Sequence, residues 1–301
     1  MVQQVWESSN IKDQGGKVVI ITGSNSGLGL EEARVLSGKN ATVVMAARDM
    51  EKSEKAVQKI KKEFPSADIR PMHLDLTDLS SVAAFSENFK TSFSRLDLLI
   101  NNAGIMAPPL GKTKNRFELQ MGTNHLGHFA LTGRLMDMVR STPQSRIISV
   151  SSIAHKMGNI NFDDLHWEKR AYKKWDAYGD SKLANLYFTF ALKKRLEKEK
   201  SPVIAAAAHP GWTHTDLQRH SFFTSTLNHF FAQTIPMGVL PTLYAATEKD
   251  VRGGDFIGAS GFMEMRGYPG KVTPTKRAKD PGPAETLWNL SEVLTGVKFG
   301  F

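Results

Sequence analysis

The chain has 301 residues, of which 41% are hydrophobic and 23% are charged, values that are ordinary for a soluble globular protein. It contains no cysteine, which excludes disulfides, thiolate metal sites and cysteine nucleophiles. No stretch reaches the roughly 18 consecutive apolar residues that a transmembrane helix needs, and the N-terminus lacks the pattern of a signal peptide. These features predict a cytoplasmic protein with no transmembrane segment.

The formal net charge of +9 raises the question of a polyanionic partner. The basic residues are spread along the chain, and the run 192–200 is interleaved with glutamates at helical spacing, which is typical of a solvated helix face. No zinc-finger spacing and no RNP-like aromatic motif accompanies them. The sequence therefore predicts no nucleic-acid partner, and attraction of an anionic cofactor accounts for some of the charge.

From residue 17 onward, short apolar runs alternate with longer amphipathic segments. The apolar runs predict strands at 17–22, 41–47, 68–74, 96–104, 145–152 and 203–211, with a short last strand at 255–259. The amphipathic segments predict helices that end at about 37 and 199 or span about 50–64, 78–93 and 116–140. This alternation predicts an α/β fold of the Rossmann type, a doubly wound parallel sheet of about seven strands with helices on both faces. Pro71 lacks a backbone donor, which predicts an edge position for its strand.

A single domain is predicted for the whole chain, 1–301. Residues 1–16 form an N-terminal extension, and residues 17–211 form the cofactor-binding and catalytic core. The alternation weakens after Gly211, so residues 212–301 are predicted to form an irregular C-terminal cap that binds the substrate. Within this cap the apolar stretch 221–235 is expected to wall a substrate pocket, with core packing as the alternative for about half of its aromatic residues.

The stretch TGSNSGLG at 22–29 joins the first strand to the first helix. Its glycines have the spacing G-x-x-x-G-x-G, which differs from the G-x-G-x-x-G dinucleotide fingerprint. Missing side chains let the backbone approach a pyrophosphate, and the N-terminus of the following helix supplies free N–H groups and positive charge. The residues of this glycine turn that are predicted to bind a cofactor are Gly23, Ser24, Asn25, Ser26, Gly27, Leu28 and Gly29.

The residue that follows the second strand distinguishes the two nicotinamide cofactors. An acidic group there binds the ribose 2′-hydroxyl, whereas an arginine accommodates a 2′-phosphate. The chain reads MAARD at 45–49, so Arg48 comes ahead of Asp49. NADP(H) is therefore favoured over NAD(H), with helix capping or pairing with Asp49 as the alternative role of Arg48.

With these motifs in order, the chain resembles the short-chain dehydrogenase/reductase family. The markers are TGSNSGLG, NNAG at 101–104, SS at 151–152, YGDSK at 178–182 and HPGWTHT at 209–215. AARDMEKSEKA, TNHLGHFALT and the expanded stretch before Tyr178 are similar to the branch of retinol dehydrogenases, WW-domain oxidoreductases and protochlorophyllide reductases. The resemblance implies an NADP(H)-dependent carbonyl reductase or alcohol dehydrogenase that acts on a medium-sized, fairly apolar small molecule.

The resemblance also implies roles for single residues. Tyr178 would donate a proton to the substrate oxygen, and Lys182, next to an oxidised nicotinamide, would lower the pKa of this phenol and bind the ribose. Ser152 would hydrogen-bond the substrate oxygen, and Asn124 would hold a water between Lys182 and bulk solvent. The other residues expected around the cofactor are Asp75, Leu76, Asn102, Ala103, Gly104, Pro210, Gly211, Thr213 and Thr215.

Alternatives stay open for several features. A Tyr-x-x-x-Lys pair is also an ordinary pair on one helix face. His125 and His128 have a spacing that fits one metal, but no carboxylate lies at a suitable offset, so no metal is predicted. The alternative function is a catalytically silent NADP-binding scaffold or redox-responsive regulator. The spacing of the glycines speaks against an epimerase, and the missing G-x-S-x-G elbow speaks against an esterase.

The stretch between Ser152 and Tyr178 is about twice as long as is usual in the family. It contains Trp167, Tyr172 and Trp175, and two interpretations stay open, a substrate-side flap or a surface for subunit contact. A homo-oligomer that pairs through the long helices before and around Tyr178 is one expectation, since many relatives pair in this way.

Overall fold

The structure, a computed structural model, describes residues 5–213 and 233–301. Within these residues eight strands form one sheet: β1 Val18–Thr22, β2 Thr42–Ala47, β3 Ile69–His73, β4 Leu98–Asn101, β5 Arg146–Val150, β6 Ile204–Ala208, β7 Phe256–Ala259 and β8 Pro269–Lys271. Their order is β3-β2-β1-β4-β5-β6-β7-β8, and only the last pair is antiparallel. The predicted parallel sheet of seven strands is confirmed, whereas β8 was missed because its Pro-Gly-Lys sequence has low strand propensity.

Helices cover both faces of the sheet, as predicted. In the described residues they are α1 Gly27–Ser37, α2 Met50–Glu63, α3 Leu79–Ser92, α4 Leu119–Met121, α5 Gly127–Ser141, α6 Lys174–Lys198, α7 Ile235–Gly238, α8 Leu240–Thr247 and α9 Pro281–Thr295. Neighbouring strand residues point to opposite faces, so Ile20 packs in one apolar cluster and Ile21 in the other. The first cluster packs under α3, α5, α6 and α9, and the second under α1, α2 and α8.

The edge position predicted from Pro71 is confirmed. Pro71 lies opposite Met45 of β2, and β3 is the first strand of the sheet. A proline at this place removes no ladder hydrogen bond because its missing N–H would face away from β2.

The C-terminal region is more regular than the predicted cap. Helix α9 begins after Asp280, whose carboxylate accepts a hydrogen bond from the amide of Gly282 at 3.0 Å, and it ends at Gly296, where φ is +67°. It packs along α6, with the rings of Trp288 and Phe188 stacked 5.9 Å apart. Since α9 covers one face of α6, that face is buried within the chain; pairing between subunits stays a prediction.

The start of the described chain is packed onto the domain. Ile11 is buried in the second cluster, and the rings of Trp6 and Tyr244 meet edge to face at 5.1 Å. The division into extension, core and cap stays a prediction. Within residues 5–213 and 233–301, none of the helices combines the length and the apolar character needed to span a bilayer.

Candidate active site

A cavity of about 950 Å³ lies at the carboxyl ends of the parallel strands. The strand order reverses here, between β1 and β4, which is where open parallel sheets bind their ligands. The predicted residues that line the cavity are Gly23, Asn25, Ser26, Gly27, Leu28, Gly29, Arg48, Asp75, Leu76, Asn102, Ala103, Gly104, Ser152, Tyr178, Lys182, Pro210, Gly211 and Thr213. Thr215 and most of the stretch 221–235 lie outside the described residues. The sequence thus predicts a set of residues that the fold brings together, while their individual roles stay predictions.

The glycine turn packs tightly against the chain that follows β4. Gly23 has φ of +67°, and a Cβ atom at Gly29 would lie 2.5 Å from Nδ2 of Asn102 and 2.8 Å from the carbonyl oxygen of Gly23. No side chain fits at position 29 without moving its neighbours. The hydroxyl of Thr22 accepts hydrogen bonds from the amides of Asn102 and Ala103, both at 2.9 Å, which joins the two motifs.

The first turn of α1 is suited to hold an anion. Ser26 is the N-cap of this helix, but its side chain makes no capping hydrogen bond. Backbone N–H groups at the helix start therefore remain available, and they carry the partial positive charge of the helix dipole. Together with the missing side chains of the turn, these donors fit the pyrophosphate of a dinucleotide.

Ser24 is the exception among the turn residues. Its side chain is fully buried, and its hydroxyl donates a hydrogen bond to the carbonyl oxygen of Ile21 at 2.9 Å. The structure therefore does not bring this side chain to the cavity, because the hydroxyl closes the turn at the end of β1.

The side chain of Asn124 also lies away from the cavity. It is fully buried in the π-helical segment Gly122–Leu126, where it donates to the carbonyl oxygen of Ile105 at 3.0 Å and to the hydroxyl of Ser181 at 2.9 Å. Its oxygen accepts a hydrogen bond from the amide of Ile105 at 2.8 Å. Both N–H donors of the Asn124 amide are used in these contacts, which tie the loop at Ile105 to α6, and the role of Asn124 in holding a water stays a prediction.

Two cations face the cavity beyond β2. Arg48 lines it ahead of α2, and Lys52, in the first turn of α2, lines it as well. The carboxylate of Asp49 caps α2 by accepting a hydrogen bond from the amide of Lys52 at 2.9 Å. Sequence reasoning missed Lys52, although a cation in the first turn of the helix that follows Arg48 was a usable signal.

Ser152, Tyr178 and Lys182 meet on the opposite wall. Tyr178 and Lys182 lie one turn apart in α6, and Nζ of Lys182 is 5.7 Å from the centre of the Tyr178 ring. This ammonium donates a hydrogen bond to the carbonyl oxygen of Val150 at 3.1 Å. The hydroxyl of Ser152 accepts from the amide of Ala154 at 3.1 Å, which leaves its proton free to donate.

Burial shifts both titratable groups of this wall. Desolvation raises the pKa of Tyr178 to about 12, although a hydrogen bond with Ser152 acts in the opposite direction. Desolvation also lowers the pKa of Lys182 to about 8. In the protein alone, the pKa of Tyr178 therefore moves against the expected direction, because the loss of solvent outweighs any effect of the ammonium.

The rest of the cavity lining is mostly apolar, and its residues were not among the predicted site residues, although several lie in the stretch before Tyr178 or in the predicted cap. It includes Ile105, Met106, Pro108, Leu119, Ile153, Met157, Trp175, Trp212, Met263 and Met265. Trp175 precedes Tyr178 by three residues on the same helix face, so helical spacing could have identified it. Met263 and Met265 carry no such signal, because they reach the cavity from the connection between β7 and β8.

The histidines have separate structural partners. Nε2 of His125 lies 2.9 Å from the hydroxyl of Ser291, and Nε2 of His128 lies 2.8 Å from the hydroxyl of Thr22. Burial lowers the pKa of His125 to about 3 and that of His128 to about 4, so both rings are neutral. His209 is buried and accepts a hydrogen bond from the amide of Gly211 at 3.2 Å. Among the residues that the structure describes, no group of three or more His, Cys, Asp or Glu side chains could hold a metal.

Known proteins resemble this chain in both sequence and fold. Residues 17–164 match the family described as short chain dehydrogenase. Retinol dehydrogenase 12 of Mus musculus is 38% identical over 287 residues, which cover 94% of this chain and 88% of that protein. A crystal structure of an uncharacterised protein from Mycobacterium paratuberculosis is 41% identical and has a TM-score of 0.84, over 99% of this chain and 100% of that one.

A short chain dehydrogenase from Shigella flexneri, solved in complex with NADP, shares the fold. It is 20% identical and has a TM-score of 0.65, over 80% of this chain and 96% of that one. The much higher identity to the retinol dehydrogenase, over nearly the whole of both proteins, confirms the resemblance. The chain belongs to the short-chain dehydrogenase/reductase family of oxidoreductases, on its retinol dehydrogenase-like branch.

Proposed function

We propose that the protein is an NADP(H)-dependent oxidoreductase that transfers a hydride between nicotinamide and the carbonyl or alcohol carbon of a medium-sized apolar substrate. The proposal is carried by one observation: Ser152, Tyr178 and Lys182 line the same cavity as the glycine turn. A proton donor and a surface suited to bind a dinucleotide thus line the same cavity.

Tyr178 is the general acid for reduction in this proposal. When bound, the reduced cofactor supplies a hydride, and the carbonyl carbon gains a C–H bond. Tyr178 gives its hydroxyl proton to the substrate oxygen, which forms the O–H bond of the alcohol. Ser152 donates a hydrogen bond to the same oxygen and stabilises the negative charge that develops there. In the reverse direction Tyr178 removes the alcohol proton.

Lys182 stabilises the phenolate that remains after proton donation. One of its three N–H donors is used by the carbonyl oxygen of Val150, so two remain for other partners. Its positive charge lies in the same buried pocket as the phenol, where low polarity strengthens the attraction between opposite charges. The role requires the ammonium form, whose pKa is lowered to about 8.

The preference for NADP(H) rests on the charges beyond β2. Arg48, Asp49 and Lys52 all line the cavity, and the carboxylate of Asp49 also caps α2. A 2′-phosphate gains charge-assisted hydrogen bonds from two cations, while a plain ribose offers them no anion. Residues Arg48 and Lys52 would hold the phosphate, and the amides at the start of α1 would hold the pyrophosphate.

The substrate class follows from the apolar lining and from the relatives. Trp175 and the methionines Met106, Met157 and Met263 offer apolar surface, and methionine side chains adapt to irregular shapes. The curated relatives include retinol dehydrogenases, whose name denotes an apolar alcohol. A medium-sized apolar aldehyde, ketone or alcohol is therefore the proposed substrate, and a cytoplasmic location stays a prediction from the sequence.

The test is a steady-state assay of NADPH oxidation with a panel of aldehydes and ketones that differ in chain length and polarity, run in parallel with NADH. We expect turnover that is highest for apolar members of the panel and higher with NADPH than with NADH. The reverse reaction is followed with the matching alcohols. Tight NADPH binding with no turnover across the panel would favour the catalytically silent scaffold instead.

A further inference from the structure

The stretch between Ser152 and Tyr178 lies directly on the catalytic helix. A Cβ atom at Gly158 would lie 2.6 Å from the carbonyl oxygen of Gly179, and one at Gly179 would lie 3.0 Å from the carbonyl oxygen of Ala154. The two backbones therefore touch at the residue next to Tyr178. Such a contact couples the position of the Ser152 segment to that of α6.

A hydrogen bond continues this contact by one residue. The amide of Asn159 donates to Oδ1 of Asp180 at 2.6 Å, and the Asp180 side chain is buried. Asp180 lies between Tyr178 and Lys182 in α6, yet it is absent from the cavity lining. The other carboxylate oxygen of Asp180, Oδ2, faces Arg170, which lies later in the stretch between Ser152 and Tyr178.

Arg170 contacts both the stretch before Tyr178 and Asp180 of α6. Its guanidinium lies 3.5 Å from Oδ2 of Asp164 and 3.8 Å from Oδ2 of Asp180, and the side chains of both carboxylates are 5% exposed. The same group stacks on the ring of Trp167 at 3.6 Å from its centre. Asp164 in turn accepts hydrogen bonds from the amides of Glu168 and Lys169, so it is anchored within the stretch. We call Asp164, Trp167, Arg170 and Asp180 the arginine clamp.

The clamp depends on Arg170 more than on any other member. Removing this cation leaves the two buried carboxylates with only backbone amides as partners, which is unfavourable for buried charges. A lysine would keep the charge but would lose the planar stack on Trp167. Without Arg170 fewer contacts hold the stretch before Tyr178 on α6, and we expect it to move away from the helix.

We propose that Arg170 is a positioning residue for substrate turnover. By holding residues 158–170 on α6, it fixes the segment that carries Ser152 relative to the hydroxyl of Tyr178. This inference rests on the proposed function. It gives the long stretch before Tyr178 a structural role, which is to hold the Ser152 segment in position beside Tyr178.

The clamp also contains a titratable group. Burial raises the pKa of Asp180 to about 6, while the hydrogen bond from Asn159 and the charge of Arg170 act in the opposite direction. Asp180 is therefore ionised at neutral pH and loses its charge as the pH falls through about 6, which removes one partner of Arg170. The charged and titratable groups around Asp180 are Arg170, Asp164, Asp176, Glu118 and Tyr187.

The experiment compares Arg170→Met with Lys173→Met, which removes an exposed cation from the same stretch. We expect Arg170→Met to lower kcat/KM for an apolar aldehyde by roughly tenfold to a hundredfold, because small displacements at an active site have effects of this size. The Kd for NADPH should stay within about twofold in both variants, and Lys173→Met should keep the activity of the wild type. Arg170→Lys should recover part of the loss.

The pH profile is the second readout, and it stands even if Arg170→Met fails to fold. The wild type should lose kcat as the pH falls through about 6, and Asp180→Asn should show the lower rate at neutral pH with no such transition. An unchanged kcat/KM in Arg170→Met, an equal loss in Lys173→Met or an unchanged transition in Asp180→Asn would each overturn the inference alone. No turnover by the wild type would overturn the proposed function and this inference with it.

Discussion

One half of the cavity is formed mainly by backbone, and the other half is formed by side chains. The half beside α1, which we call the cofactor half, is formed by backbone, with glycines packed on the chain after β4 and a helix start whose N-cap side chain makes no hydrogen bond. The half beside α6, which we call the substrate half, is formed by side chains that arrive from the stretch before Tyr178 and from the β7–β8 connection. Backbone surfaces suit a ligand part that never changes, such as a pyrophosphate. Side chains suit a part that differs from one enzyme to the next, so in the proposed function the substrate half sets the specificity.

The largest effect is expected from Tyr178→Phe, which breaks the substrate half only. Loss of the proton donor should lower kcat by about 10²- to 10⁴-fold, while the Kd for NADPH changes little, because the ring is kept. The measurement is NADPH oxidation together with a fluorescence titration of the cofactor. Tyr187→Phe, a buried tyrosine of the same helix outside the cavity lining, is the matched control. Activity retained in Tyr178→Phe would contradict the assigned acid.

The complementary change is Arg48→Ala combined with Lys52→Ala, which breaks the cofactor half. Each lost contact between a cation and a phosphate is worth about 1.5–3 kcal/mol, so the Kd for NADPH should rise by tenfold or more for each residue. The Kd for NADH should stay the same. Lys55→Ala, which removes a cation paired with Glu51 on the same helix, should change neither value. Equal losses for both cofactors would remove the assigned phosphate role.

An intermediate effect is expected in the alkaline pH profile of carbonyl reduction. The ammonium of Lys182 is present below its lowered pKa of about 8 and is lost as the pH rises through that value. The phenol of Tyr178, whose pKa is raised to about 12, stays protonated over the same range. kcat/KM should therefore fall about tenfold for each pH unit above 8 if the ammonium is required. A profile that stays flat up to pH 10 would separate Lys182 from catalysis.

The smallest effect on activity is expected from a residue behind the glycine turn, where a substitution changes the stability of the fold. Glu32 of α1 is fully buried, and burial raises its pKa to about 8, above the roughly 4.3 of an unfolded chain. Its neutral form therefore stabilises the fold at low pH, and this contribution is lost as the pH rises through about 8. Glu32→Gln does not titrate, so relative to the wild type its free energy of unfolding should gain about 4 kcal/mol between pH 5 and pH 9, because about three pH units separate pH 5 from the pKa of Glu32. Thermal unfolding at the two pH values measures this gain; the same difference in Tm at both would contradict it.

Much of the fold and of the cofactor half could be predicted because their signals are local. Pro71 predicts an edge strand from one missing N–H group, and TGSNSGLG predicts a turn from the absence of side chains. Helix α9 was missed although Asp280, Pro281 and Gly296 are typical start and stop signals, because the Gly- and Pro-rich stretch before it suggested a loop.

The pKa values of the active site could not be predicted from spacing. Tyr178 and Lys182 were placed together correctly by the i, i+4 rule, but the sequence does not show how far each is buried. Burial raises the pKa of the phenol and lowers that of the ammonium, and only the packed structure shows this. Asn124 is a similar case, because its side-chain partners Ile105 and Ser181 are distant in the sequence.

By itself the sequence determined the parallel part of the sheet, the family and most of the residues that line the cavity beside α1, since alternating apolar runs and short contiguous motifs encode them. Only the tertiary structure decided what forms the substrate wall, that Lys52 joins Arg48 at the cavity, and that Arg170 lies between Asp164 and Asp180. The physical reason is that these contacts join segments through burial and charge pairing. Neither follows from the order of residues until the chain has folded.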